Sequence, residues 1–134
     1  MTRFVVDAGA VLSIVADGGE VADGHELLAP TLLRSQTLSV LHEAVHRGEL
    51  TADVARERLR RAGQLRIRLL GDAVLRRTAL EVATELGWES TYDAEYVALT
   101  RLQADALVTT DAGLARRVEG VVRLASPDEL RAPA

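Results

Sequence analysis

The regular alternation of short apolar runs with longer helix-like segments constrains the fold most strongly. Five runs have the length and aliphatic character of buried strands, although the second also suits an extended segment: FVVDA (4–8), LLAP (27–30), LRIRLLG (65–71), ALVTTD (106–111) and VVRLAS (121–126). Strands that alternate with helices of this length indicate parallel βαβ units with helices on both faces of the sheet. The sequence therefore predicts an α/β fold with a mainly parallel central sheet.

Capping residues and glycines mark the helices between these runs. Thr51 and Asp72 are predicted N-caps of helices that end at Gly63 and Gly87, and Gly48 ends a helix that starts near Thr31. Three shorter helices are predicted in the same way: VLSIVA (11–16), DAEYVALTRLQA (93–104) and GLARRVEG (113–120). The elements thus follow one another without a long unstructured segment.

Length and composition bound the class of protein. A chain of 134 residues, 48% of them hydrophobic, suits one domain, and no linker, repeat or low-complexity stretch divides 1–134. The absence of cysteine excludes disulfides, thiolate zinc sites and cysteine nucleophiles, and it suits a reducing compartment. Neither a signal peptide nor an uncharged run long enough to span a membrane is present. We therefore expect a cytoplasmic domain with no membrane segment.

Three aspartates occupy positions where a ligand site is expected. Asp7 and Asp111 end predicted buried strands, and in an open parallel sheet ligands bind at that edge. Asp93 opens a helix. Each residue alone could simply cap a helix, but several carboxylates at one edge would repel and raise one another's pKa. Mg²⁺ or Mn²⁺ would relieve that repulsion, because hard divalent cations take oxygen ligands.

The motifs around these acids resemble those of a known family. In order, FVVDAGAVLSIV, APTLLRSQTLSVLHEAVHRGEL, TYDAEYVALTRLQADALVTTD and VVRLASPDEL resemble the motif blocks of PIN-domain ribonucleases, especially VapC-type toxins. The resemblance implies a single PIN-like α/β/α sandwich and cleavage of RNA phosphodiester bonds that depends on Mg²⁺ or Mn²⁺. It also implies a homodimer and a cognate antitoxin protein as partners.

The resemblance assigns the site residues one at a time. Asp7 matches the family's first acid, Asp93 the acid of its YDA motif and Asp111 the acid of its LVTxD motif, which makes all three catalytic residues and metal ligands. Gln36 is the fourth catalytic position, where the family usually has glutamate. Its amide can still offer an oxygen but carries no charge. A non-catalytic PIN-like domain that binds RNA or a partner therefore remains an alternative.

Glu43 is the nearest acid that could replace the missing charge. It lies seven residues after Gln36, on about the same helix face. The helical rise, however, separates the two positions by about 10 Å. Glu43 is therefore a poor direct substitute for a glutamate at position 36.

Two other features could contact RNA. All sixteen basic residues are arginine, and six of them fall within RERLRRAGQLRIR (56–68). This segment is either a solvated helix face or a patch that contacts phosphates or a partner. Trp88 and Tyr92 flank the start of the Asp93 helix and either stack on a base or pack against the protein.

A competing motif points to different chemistry. His42-Glu43-Ala44-Val45-His46 satisfies the H-E-x-x-H signature of zinc hydrolases, in which two histidines share one helix face. The extended form of that signature needs a glycine and a third histidine where the chain has Glu49 and Ala52. The alternative is that both histidines lie on the exposed flank of the helix.

Replacing the two histidines separates these functions. If the chain is a PIN nuclease, alanine at both His42 and His46 should leave RNA cleavage within a few-fold of native, because neither side chain belongs to the acidic group. Stoichiometric zinc in the purified protein, lost on the double replacement, would instead indicate a zinc hydrolase.

Overall fold

The computed structural model describes residues 1–133, and Ala134, the last residue of the predicted domain, lies outside the described residues. The described residues form five strands and seven helices: β1 (Thr2–Val6), α1 (Ala8–Ala16), β2 (His25–Pro30), α2 (Leu32–His46), α3 (Ala52–Ala62), β3 (Ile67–Leu70), α4 (Ala73–Leu86), α5 (Tyr92–Gln103), β4 (Ala106–Val108), α6 (Ala112–Arg117), β5 (Leu124–Ala125) and α7 (Pro127–Arg131).

All strands pair in parallel in one sheet with the order β3-β2-β1-β4-β5. The first strand therefore lies at the centre, between β2 and β4. Val6, the last residue of β1, is in register with Val108, the last residue of β4. The predicted parallel sheet is confirmed, and its central pair places two carboxyl ends side by side.

Helices cover both faces of the sheet because side chains alternate along each strand. Phe4 and Val6 point into a core shared with α1 and α7, whereas Val5 points into a core shared with α4, α5 and α6. This is the predicted α/β/α sandwich. Within residues 1–133, no helix combines the length and apolar character needed to cross a bilayer.

The predicted caps of α3 and α4 are confirmed. Thr51 Oγ1 accepts a hydrogen bond from Val54 N at 3.2 Å, and Asp72 Oδ1 accepts one from Leu75 N at 2.8 Å. Gly87 ends α4 with a φ of 70°, a left-handed conformation that glycine adopts without steric cost. These local signals were sufficient because the groups involved are neighbours in sequence.

Several predicted boundaries were wrong. Helix α5 starts one residue earlier than predicted, with Thr91 at the N-cap position, so Asp93 lies in its first turn. Strand β4 ends at Val108, which leaves Asp111 to cap α6. The predicted last strand shrinks to two residues, because the N–H groups of Val121 and Val122 turn back to the carbonyl of Val118.

The helix α7 was not predicted, although its signal is local. Pro127 occupies the first turn, and Ser126 forms a capping box with Glu129. The buried side chain of Leu130 packs this short helix against α1 and the sheet.

Candidate active site

The sheet order brings the predicted site residues to one cleft. Asp7 follows β1 directly, Asp111 lies three residues beyond the neighbouring strand β4, and the first turn of α5 carries Asp93 beside them. The cleft has a volume of about 390 Å³, and its lining includes Asp7, Gln36, Glu43, Asp93, Tyr96 and Asp111. All four positions assigned from sequence therefore line the same cleft.

Asp7 lies deepest and is held by both carboxylate oxygens. Its Oδ1 accepts a hydrogen bond from Ala10 N at 2.9 Å, which caps α1, and its Oδ2 accepts one from the hydroxyl of Thr109. The residue is only 9% exposed. Because each carboxylate oxygen has two lone pairs, acceptor capacity remains for a further ligand.

Electrostatics disfavour the charged form of Asp7. Burial raises the pKa of its carboxyl above the ordinary value, and the negative charges of Asp111 and Asp93 raise it further. The hydrogen bonds from Thr109 and Ala10 act in the opposite direction and offset part of this rise. Asp7 therefore favours either a proton or a nearby cation.

Asp93 forms an ion pair with an arginine of the same chain. The Arg117 guanidinium, on the last residue of α6, donates from Nη2 to Asp93 Oδ2. The central carbon of that guanidinium lies 4.8 Å from the centre of the Trp88 ring, within cation–π range. Trp88 thus packs under an arginine, whereas Tyr92 is 60% exposed.

Asp111 is fixed by the start of α6. Its Oδ1 accepts hydrogen bonds from Gly113 N at 2.8 Å and Leu114 N at 3.1 Å. The backbone N–H of Asp111 donates to Thr109 Oγ1 at 3.0 Å. Thr109 therefore joins the two acids, since its hydroxyl donates to Asp7 while its oxygen accepts from Asp111.

Gln36 is positioned by Tyr96. The Tyr96 hydroxyl donates to Gln36 Oε1 at 2.6 Å. Burial raises the pKa of Tyr96, and the negative charges of Asp7, Glu95 and Asp93 raise it further, so the hydroxyl stays protonated and remains a donor. One lone pair of the Gln36 oxygen is thereby engaged, which leaves one for any ligand in the cleft.

The carboxylate oxygens of the three aspartates fit a hard divalent cation in chemical type, but they do not converge on one point. Among residues 1–133, no three side chains of His, Cys, Asp or Glu already form a group that could hold a metal ion. Aspartate oxygens are nonetheless the ligands that Mg²⁺ and Mn²⁺ prefer. Binding at all three acids would require side-chain rearrangement, and Arg117 would have to release Asp93 if the metal took Oδ2, the oxygen that Arg117 holds.

The zinc motif does not assemble in this fold. Glu43 lines the acidic cleft, and its Oε2 accepts a hydrogen bond from Ser39 Oγ at 2.6 Å. His42 lines a separate apolar groove between α2 and α3, and His46 is exposed. In the described part of the chain these histidines have no third protein ligand.

The arginine-rich segment is only partly neutralised. Arg56 pairs with Asp53 at 2.9 Å, Arg60 with Glu57 at 2.6 Å and Arg68 with Glu26 at 3.4 Å. Glu57 and Glu26 are each shared with a second arginine, so the segment keeps a net positive charge and both interpretations of it stay open.

Sequence reasoning missed Thr109, Tyr96 and Arg117. Thr109 and Tyr96 lie inside the motif TYDAEYVALTRLQADALVTTD, but neither carries a charge that would mark it as a partner of the acids. Arg117 lies 24 residues from Asp93 in a helix with no motif of its own, so only the fold shows their contact.

Asparagine at position 7 should stabilise the native state at neutral pH. The folded-state pKa of Asp7 is raised above 3.8, so its favourable contribution is complete below that value and is lost as pH rises through the folded pKa. Asparagine keeps an acceptor for Ala10 N and removes the charge. The advantage of Asp7→Asn in urea unfolding should therefore be greatest at neutral pH and vanish in acid.

The matched control is Asp72→Asn, which changes an N-cap in the same way but outside the cleft. Lower stability of Asp7→Asn than native at neutral pH would mean that the hydrogen bonds of the carboxylate outweigh its burial.

Comparison with known proteins rests on structure. No protein-family model matches the chain, and no curated protein matches it either. The fold is similar to PAE2754 from Pyrobaculum aerophilum, with a TM-score of 0.70, 22% identity and coverage of 96% of this chain and 93% of that one.

Two VapBC structures are also similar. VapBC2 from Rickettsia felis, bound to a DNA fragment from its promoter, gives a TM-score of 0.64 at 11% identity, covering 92% of this chain and 98% of that one. VapBC-1 from nontypeable Haemophilus influenzae gives a TM-score of 0.54 at 11% identity, covering 94% of this chain and 98% of that one. At these identities the likeness establishes the fold, which this chain shares with all three structures.

Proposed function

We propose that this chain is a metal-dependent endoribonuclease, the toxin of a toxin–antitoxin pair, which acts in the cytoplasm. The observation that carries the proposal is the placement of Asp7, Asp93 and Asp111 around one cleft of a VapC-type fold. Three acids at one sheet edge, with a single arginine paired to one of them, suit a site that recruits a cation. RNA is the substrate that the family resemblance implies.

Asp7, Asp93 and Asp111 would hold Mg²⁺ or Mn²⁺. When bound, such an ion would lower the pKa of a bound water and would offset the charge of a phosphodiester. Asp7 is the best-ordered ligand because Ala10 N and Thr109 hold both of its oxygens. Thr109 would keep Asp7 and Asp111 in a fixed relation, and Tyr96 would fix the amide of Gln36 at the edge of the cleft.

An apolar groove supports a protein partner. It runs between α2 and α3, and its lining includes Leu38, Leu41, Val45 and Leu59. Leu38 is 54% exposed and Leu59 is 41% exposed, so a partner could bury both. We assign the groove to the cognate antitoxin, and a neighbouring reading frame whose product co-purifies with this chain would test that. We also expect a homodimer, which light scattering would test.

A binding domain without catalysis is the second candidate. It is favoured by two contacts that weaken a metal site: Gln36 carries no charge and already accepts from Tyr96, and Arg117 already neutralises Asp93. In that case the cleft would bind RNA or a partner, and no added metal would produce cleavage.

Cleavage of a total-RNA panel distinguishes the two candidates. We expect EDTA-sensitive cleavage by the native protein and its loss in Asp93→Asn, because one metal ligand is then weakened. Gln36→Glu should tighten Mn²⁺ binding and raise cleavage only modestly, since three aspartates suffice for an ion that keeps several waters. Asp53→Asn is the matched control, because Asp53 lies on α3 and pairs only with Arg56.

Three outcomes are informative. If the native protein cuts no RNA with any metal, the nuclease proposal is wrong and the second candidate, a binding domain without catalysis, is favoured. Cleavage by Gln36→Glu alone would show a site disabled by the missing charge. Thermal unfolding with MnCl₂ gives a separate readout, in which the native protein should gain stability and Asp7→Asn should not.

A further inference from the structure

Arg117 is the basic side chain at the edge of the acidic cleft. It occupies the last residue of α6, and its guanidinium contacts both the Asp93 carboxylate and the face of the Trp88 ring. Its side chain is 45% exposed, and that of Asp93 is 39% exposed. The pair is therefore open to solvent and to any ligand that enters the cleft.

Most of the hydrogen-bonding capacity of Arg117 is unused. A guanidinium carries five N–H donors in a planar fork, and in residues 1–133 the only hydrogen bond that Arg117 makes is to Asp93. The Trp88 ring restrains the position of the guanidinium without consuming a donor. Arg117 is thus held beside the acids with donors to spare.

A divalent cation and Arg117 compete for the same carboxylate. If Asp93 binds the metal through Oδ2, the oxygen that Arg117 holds, its ion pair with Arg117 must open. The guanidinium would then lack its acidic partner while remaining over the ring of Trp88. Arginine forks match phosphate oxygens as well as carboxylates, so an RNA phosphate is a suitable replacement.

We propose that Arg117 is a positioning residue that exchanges the Asp93 carboxylate for an RNA phosphate, so that metal and RNA binding are coupled through it. The inference rests on the proposed function and extends it to a residue outside the acidic motifs. Without metal, Arg117 stabilises the free site and weakens its attraction for cations. With metal, Arg117 draws the phosphodiester backbone towards the cleft.

Arg116 offers a matched control for charge. It is the preceding residue on α6, it is exposed, and it forms no ion pair with an acid in the described structure. Arg116→Gln and Arg117→Gln remove the same charge from adjacent positions. Any general electrostatic effect on Mn²⁺ or RNA should therefore be similar in the two variants.

The experiment measures two affinities in the full chain. Mn²⁺ binding is measured by calorimetry without RNA. RNA binding is measured by the anisotropy of a short labelled single-stranded RNA of mixed sequence, recorded on mixing, in saturating MnCl₂ and in EDTA. Relative to Arg116→Gln, we expect Arg117→Gln to bind Mn²⁺ about threefold to fivefold more tightly, as loss of an exposed competing ion pair allows.

The effect on RNA should have the opposite sign. In MnCl₂, Arg117→Gln should bind RNA about tenfold more weakly than Arg116→Gln, since a charge-assisted phosphate contact is lost. In EDTA the two variants should bind RNA alike, because the Asp93 carboxylate then neutralises the charge of Arg117. Arg117→Lys keeps the charge without the fork, so its RNA affinity in MnCl₂ should be intermediate.

Equal affinities for the two glutamine variants would overturn the role of Arg117, provided that the native protein binds Mn²⁺ and cuts RNA. Weaker Mn²⁺ binding by a folded Arg117→Gln would also overturn it, because the arginine would then be organising the acids. Absence of both Mn²⁺ binding and RNA cleavage in the native protein would instead refute the proposed function, and this inference with it.

Discussion

Parallel pairing of β1 with β4 brings Asp7 and Asp111 together at the carboxyl end of the sheet. Val6 and Val108 end their strands in register, and Asp7 N lies 3.4 Å from the carbonyl oxygen of Val108. The residues that follow the two strands are consequently neighbours, which lets the Thr109 hydroxyl reach Asp7. A shift of one residue in this register would point that hydroxyl to the other face and break the link.

Bringing the carboxylates together causes electrostatic repulsion, and each acid makes different contacts that offset it. Asp7, the most buried, accepts hydrogen bonds from Thr109 and a backbone N–H. Asp93 has the Arg117 guanidinium, and Asp111 has the first N–H groups of α6. These contacts offset part of the repulsion among the three acids. The pKa of Asp7 remains raised, which shows that its contacts do not fully offset burial and the charges of the other two acids.

Sequence was sufficient wherever the determining contacts are local. Thr51 and Asp72 cap helices through N–H groups three residues away, and the alternation of strands and helices was sufficient to predict the α/β sandwich. The sequence was not sufficient to predict which residues contact the acids, because those contacts join distant segments. Thr109 and Asp7 are 102 residues apart, and the ion pair between Arg117 and Asp93 spans two helices. Charge and motif spacing indicated that the acids would meet, but not what would neutralise them.

The Tyr96 contact explains how the site can accommodate an amide at position 36. Glutamate there would also accept from the Tyr96 hydroxyl, so the hydrogen bond does not require glutamine. Glutamate would, however, add a further negative charge to a cleft where Asp111 and Asp93 already raise the pKa of Asp7. Glutamine keeps the contact and avoids that repulsion, which favours the free protein at the expense of attraction for a cation. The charge that glutamate would add is repulsive in the folded protein and would attract a cation, so in the proposed metal site glutamine would favour stability over affinity for metal.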